Sequence, residues 1–248
     1  MLVIPRSPLS DLSMPTKPIQ LIGTPIGNLG DISFRAVECL RDADVIACED
    51  TRHSSRLLSH LEISGKELIA LHDHNEKERA GSLVARAANG ERIVFLSDAG
   101  MPTISDPGFR LVNASVEADV PVEVIPGPSA AITALAGSGM PTDAFYFGGF
   151  LPVKSGKRKR EIETALARVE TSIFFESPHR LGKTLGVVAE LDPDREVCVA
   201  RELTKKFETF HRGTAGDLFE EFGGKKAKGE ITLLLRGTGR IKGACRAC

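Results

Sequence analysis

Four short stretches of this 248-residue sequence carry the residue types that a polar ligand needs. They are "GTPIGNLGD" (23–31), "EDTRH" (49–53), "SDAGMPTISDPG" (97–108) and "PGPSAA" (126–131). Glycines and small residues let a ligand approach the backbone. The exposed amides there, with carboxylates such as Glu49, Asp50 and Asp98, can address hydroxyl and ammonium groups. "GTPIGNLG" is not G-x-G-x-x-G and lacks the acidic ribose partner of that motif, and no phosphate-loop lysine follows it, so NAD and ATP are not expected. "HDH" (72–74) is an HxH pair with no evident third ligand, and no metal site is expected.

Each of these stretches follows a short apolar run. Strands are expected at "IQLIGT", "DVIACED", "ELIAL", "RIVFLSD" and "VEVIPG", interleaved with amphipathic helices near "SFRAVECLRDA", "TRHSSRLLSHL", "EKERAGSLVARAANG", "FRLVNASVEAD" and "SAAITALAGSG". Five β–α alternations predict a mainly parallel five-stranded sheet covered on both faces, with ligand loops at the carboxyl ends of its strands. A second set follows, with strands at "AFYFGG", "TSIFFES", "REVCVARE", "ETFHRG" and "EITLLLRG". Its helices lie near "KRKREIETALARVE", "HRLGKTLGVVAEL" and "AGDLFEEF". The closing strands are too near one another for a helix between each pair, so this sheet is expected to be mixed. The fold class is therefore α/β with two α/β domains: a tail over 1–17, a first domain over 18–143, a second over 144–238 and a tail over 239–248.

With 42% hydrophobic and 26% charged residues, the composition suits a chain that buries a real core. No run of roughly eighteen apolar residues is present, and the first residues lack a secretory layout, which predicts a cytoplasmic protein without membrane contact. Five cysteines are odd in number, and Cys39, Cys48 and Cys198 fall inside helix or strand patterns, as reduced thiols do. "CRAC" at the end is a lone CxxC. Residues 1–150 hold 12 Lys and Arg against 19 Asp and Glu, and residues 151–248 hold 20 against 14, giving −7 and +6. The basic second half points to a polyanionic partner.

Nine strings, in order from Ile19 to Arg236, carry a resemblance: "GTPIGNLGDIS", "ACEDTRHSSRLLSHL", "ALHDHNE", "SDAGMPTISDPG", "PGPSAAITAL", "GFLP", "FFESPHRL", "ARELTKKFE" and "KGEITLLL". The sequence resembles the bacterial 16S ribosomal RNA cytidine-2′-O-methyltransferases of the tetrapyrrole methylase superfamily. Many of these continue into a further C-terminal appendage; this sequence ends at Cys248. The resemblance implies S-adenosylmethionine in the cleft between two α/β domains, with 16S ribosomal RNA in the small ribosomal subunit as partner and a homodimer as the assembly. Carried over, the cofactor residues are Asp98, Ala99, Gly100, Ile104, Ser105, Ser129 and Ala130. From the second domain come Glu176, Ser177, Ala200, Arg201, Glu202, Gly229, Glu230 and Ile231.

A ribose hydroxyl is a weak nucleophile whose proton must leave as the new bond forms, which calls for a base or an alkoxide-stabilising cation. "EDTRH" offers Glu49, Asp50, Arg52 and His53, "HDH" offers His72, Asp73 and His74, and Glu176 and Glu202 are further candidates; among the acids, Asp50 or Asp98 is expected there. Arg52 is expected on the alkoxide or on an RNA phosphate. Asp50 can equally cap the helix that begins "TRHSS". In "KSGKRKR", Lys154, Lys157, Arg158, Lys159 and Arg160 are expected on RNA phosphates, near Phe145, Tyr146 and Phe147. The rival readings are a small-molecule, tetrapyrrole-type methyltransferase and a non-catalytic RNA-binding assembly factor.

Overall fold

The structure is a computed structural model that describes residues 16–224 and 226–239. The two expected tails lie almost wholly outside the described residues. The chain divides into two compact units. The first runs through Pro25 and resumes over Leu29–Pro128; the second takes Ile26–Asn28 and everything from Ser129 on.

In the first unit, β1 (Ile19–Ile22), β2 (Val45–Cys48), β3 (Glu67–Ala70), β4 (Ile93–Leu96) and β5 (Val122–Ile125) form one sheet in the order β3-β2-β4-β1-β5. Every pair is parallel. The two-residue period of a strand splits the apolar runs between the faces. Val45, Ala47, Ile93 and Phe95 pack with α3 (Glu76–Ala88) and α4 (Phe109–Glu117). Ile46, Cys48, Val94 and Leu96 pack with α1 (Phe34–Asp42) and α2 (Thr51–His60). Burial on both faces explains why these runs read as continuously apolar. Because all five strands point one way, the loops that follow them gather at one edge of the sheet.

In the second unit the strand order is β6-β7-β10-β8-β9, from β6 (Phe145–Phe150), β7 (Thr171–Glu176), β8 (Glu196–Arg201), β9 (Thr209–Thr214) and β10 (Ile231–Leu235). Only β6 and β7 are parallel, with α6 (Ser155–Ala167) as their crossover. The connection over 202–208 is too short for a crossover, and β8 and β9 pair antiparallel, as β10 does with β7 and β8. Phe174, Val199 and Leu233 face α6, α7 (Leu181–Leu191) and α8 (Ala215–Phe222), the last opened by a reciprocal Thr214–Asp217 capping box.

The other face is covered by α5 (Ala130–Ser138), whose Ala131, Ala134 and Leu135 pack on Ile173, Cys198 and Leu234. The sequence reading keeps this helix in the first domain, through residue 143, whereas the structure divides the chain at Pro128. The helix is apolar nearly all round, so alternation alone does not say which sheet it covers. Its close seat has a local cause: a Cβ on Gly137 would lie 2.4 Å from the Phe210 ring.

Candidate functional site

The loops at the carboxyl edge of the first sheet are knitted together by backbone. Thr24 donates its N–H to the Gly100 carbonyl at 2.8 Å, and Gly100 returns the bond at 3.1 Å. Gly23 and Gly127 lie in direct contact, since a Cβ on Gly127 would fall 2.6 Å from the Gly23 oxygen. A side chain at either position would force the two turns apart.

The 97–108 loop has an unusual backbone. Gly100 and Gly108 have φ of 85° and 120°, and Thr103 and Ser105, which carry side chains, sit at 74° and 64°. Such left-handed residues are held only where their surroundings over-determine them. Thr103 donates its N–H to the Pro107 carbonyl at 3.0 Å, and the buried Glu76 anchors the end of the loop, its Oε1 accepting the N–H groups of Gly108 and Leu111 at 3.0 Å each. Ala99, Ile104 and Ser105 are left exposed.

Acidic side chains crowd the same edge. Asp98 Oδ1 accepts the Asp50 N–H at 3.2 Å. Burial raises the Glu49 carboxyl above its ordinary range, the Asp98 N–H bond opposes this, and repulsion from Asp98, Asp73 and Asp50 adds to it. Burial likewise pushes Asp106 up to about 6, with the charges of Glu49, Asp98 and Asp73 adding to it against the Ser97 hydroxyl. Asp106 is absent from the site residues expected from sequence, although it stands inside the "SDAGMPTISDPG" loop. Its burial is the missing signal.

Asp50 behaves differently from its neighbours. Its Oδ1 accepts the Arg52 N–H at 2.8 Å, which caps α2, and its Oδ2 lies 3.3 Å from Arg52 Nη2. These bonds hold the carboxyl below its usual range. A carboxylate so occupied is a poor proton acceptor, so the cap is its structural role. Arg52 itself is 87% exposed at the side chain.

In the second unit the carried-over residues fall at the ends of β7, β8 and β10. Ser129 opens α5 without a side-chain capping bond, next to the half-buried Ala130. The Glu176 side chain is committed within its own unit. It is buried, accepts from Ser177 N–H at 2.6 Å and Thr184 Oγ1 at 2.5 Å, and pairs with Arg180 at 2.6 Å. A carboxylate satisfied on both oxygens positions the Ser177 turn and is not free for a ligand.

Glu202 and Glu230 interlock. Glu202 donates its N–H to the Glu230 carbonyl at 3.0 Å, and Glu230 donates its own to Glu202 Oε1 at 2.9 Å. Lys205 Nζ bridges the two carboxylates at 3.0 and 3.1 Å. Gly229, at φ 87°, leaves room for this arrangement, since a Cβ there would fall 2.4 Å from the Glu202 carboxyl carbon. Ala200 and Ile231 are buried strand residues, and Arg201 donates to Thr209 Oγ1 and the Lys228 carbonyl at 3.2 Å each.

The basic cluster divides. Lys154, Lys157 and Arg160 are exposed, while Lys159 pairs with Glu190 at 2.8 Å. Arg158 differs from them: it is 5% exposed and donates Nη1 to the carbonyls of Val153 and Pro152. Its guanidinium ties down the turn before α6 and does not meet solvent. Of the three neighbouring aromatics, Tyr146 is committed to packing, between Phe174 and the Arg168 guanidinium.

Comparison with known proteins gives consistent matches. Residues 18–218 match the family model described as tetrapyrrole (corrin/porphyrin) methylases. The chain is 46% identical over 222 residues to "Ribosomal RNA small subunit methyltransferase I" of Escherichia coli O157:H7, covering 88% of this chain and 77% of that one. It is 43% identical over 218 residues to the protein of the same name from Hydrogenobaculum sp., covering 88% and 94%. Among solved structures, the methyltransferase CobJ superposes with a TM-score of 0.67 at 19% identity, over 90% of this chain and 95% of that one.

Proposed function

The chain belongs to the tetrapyrrole (corrin/porphyrin) methylases, and from that premise we propose that it methylates the ribose 2′-hydroxyl of a cytidine in the decoding centre of small-subunit ribosomal RNA. The donor is S-adenosylmethionine, the enzyme is a cytoplasmic homodimer, and the RNA is met as part of the small ribosomal subunit. The observation that carries this reading is the 46% identity, over most of both chains, to a protein named for that class of RNA.

The residues present fit such a donor. The close contact of Gly23 with Gly127 fixes the two turns beside the site, and the carboxylates of Asp98, Glu49 and Asp106 suit a cationic ligand. Asp98, Ala99, Gly100, Ile104 and Ser105 of the first unit would hold it. When bound, S-adenosylmethionine supplies a methyl group activated on a sulfonium.

This chain's own work is to orient the hydroxyl and take its proton. Asp106 has a proton affinity near neutral pH, unlike Asp50, and receives that proton beside Asp98. Arg52 meets the developing alkoxide or the adjoining phosphate, and the exposed Lys154, Lys157 and Arg160 hold the RNA backbone.

The test is incubation of the protein with small ribosomal subunits and methyl-labelled S-adenosylmethionine, followed by digestion to nucleosides. Label in 2′-O-methylcytidine is expected. Label in a methylated base, or in no nucleoside, would overturn the reading.

A further inference from the structure

The segment between β8 and β9, "ELTKKFE" (202–208), holds an arrangement that the proposed chemistry leaves unused. Two of its residues with side chains, Glu202 and Thr204, adopt left-handed φ of 52° and 65°. Its turns are closed by Lys205 N–H on the Glu202 carbonyl at 3.0 Å and Glu208 N–H on the Lys205 carbonyl at 3.1 Å. Glu208 Oε2 takes the Thr204 N–H at 2.6 Å. Leu203 is buried in the core beneath, and the stem of Lys205 lies against Gly27, where a Cβ would fall 2.4 Å from its Cγ. The loop is therefore strained and rigid at once, a combination that folding alone does not favour.

What this frame presents outward is Phe207. Its side chain is 64% exposed, and the Lys206 ammonium stands 5.6 Å from the ring centroid. An aromatic ring held in water by a strained loop gives up the gain of burial. Next to it is an exposed cation. A flat apolar face beside an ammonium matches the two faces of a nucleotide, a base that stacks and a phosphate that carries charge.

We infer that Phe207 is a stacking platform for an unpaired base of the RNA substrate, with Lys206 on the adjoining phosphate. The inference rests on the RNA substrate proposed above. Stacking on a single ring tolerates any base, so Phe207 contributes affinity and positioning while other contacts select the cytidine. A loop already fixed in its binding geometry loses little entropy when the RNA arrives.

The test uses the full chain, small-subunit ribosomal RNA and three variants. Phe207→Ala is expected to weaken RNA binding about tenfold, with S-adenosylmethionine affinity and melting temperature little changed because most of the residue faces solvent. Lys206→Ala is expected to lower the salt dependence of binding by about one phosphate contact. Phe207→Trp is expected to restore binding. Since the sequence has no other tryptophan, its fluorescence reads the loop directly and should be quenched when RNA is added. Wild-type protein that binds no RNA would remove the functional reading and this inference with it. Wild-type protein that binds RNA, beside a Phe207→Ala variant that binds equally well, would overturn this inference alone. A change in the assembly mass of Phe207→Ala by light scattering would also overturn it, in favour of a contact between copies of the chain.

Discussion

Asp98 Oδ1 accepts the backbone N–H of Asp50 at 3.2 Å, tying the loop after β4 to the loop after β2. One carboxylate thus orders two of the loops assigned to the ligand. Asp98→Ala would leave that N–H without its partner, at about 1–3 kcal/mol, and remove a charge that the proposed cationic donor would meet. A lower unfolding midpoint together with a loss of S-adenosylmethionine affinity is expected. Asp98→Asn, which can still accept the bond through its amide oxygen, should recover the midpoint but not the affinity. Full affinity in a folded Asp98→Ala protein would take the residue out of the site.

Asp106 makes a pH-dependent prediction. Its folded-state pKa is raised from 3.8 to about 6. The native state therefore holds a proton that the unfolded chain has already released, and this group's contribution to stability falls as pH rises through that window. Above it the half-buried charge is a standing destabilisation. Asp106→Asn should melt higher than the wild type at pH 8, with the advantage shrinking as pH falls from about 6 toward 4, and should lose methyl transfer. A stability difference that does not change with pH would contradict the buried-charge account.

Gly229 and Gly65 both have positive φ, at 87° and 72°, but differ in surroundings. A Cβ at Gly65 meets nothing within 4 Å, whereas one at Gly229 meets the Glu202 carboxylate. Gly65→Ala should therefore cost only backbone strain, about 1–2 kcal/mol. Gly229→Ala should cost more, because Glu202 must also leave Glu230 and Lys205. Denaturant unfolding of the two variants checks this, and equal losses would deny the close approach.

Within the basic cluster, burial separates two kinds of residue. Arg158→Ala should destabilise the protein by about 2 kcal/mol, since charged hydrogen bonds to two carbonyls are lost. Its effect on RNA should follow that instability. Replacing Lys154, Lys157 and Arg160 with serine should leave the melting temperature alone and flatten the dependence of RNA affinity on log salt, by about one unit per phosphate contact removed. An unchanged slope would make these residues ordinary solvated surface.

The elements themselves were legible in the sequence because their signals are local. "RIVFL" is apolar throughout because β4 is buried on both faces, and the mixed second sheet follows from the short 202–208 link. The fate of α5 was not legible, because a helix without a polar face does not declare its neighbour. Side-chain commitments were the other gap. Arg158 and Glu176 look like free charges in a motif, yet one serves two carbonyls and the other a serine, a threonine and an arginine brought together only by the fold. Asp106 went unselected for the converse reason, since nothing in "SDPG" records how far water is kept from it.

The central claim, methyl transfer to a ribose oxygen, has a direct chemical test. Alkaline cleavage of RNA requires a free 2′ oxygen to attack the neighbouring phosphate, so a 2′-O-methyl group protects one linkage. Small-subunit RNA treated with this protein and S-adenosylmethionine, then hydrolysed to a ladder, should show a single gap at one cytidine of the decoding centre. Methylated RNA with an unbroken ladder would place the methyl group on a base and contradict the account.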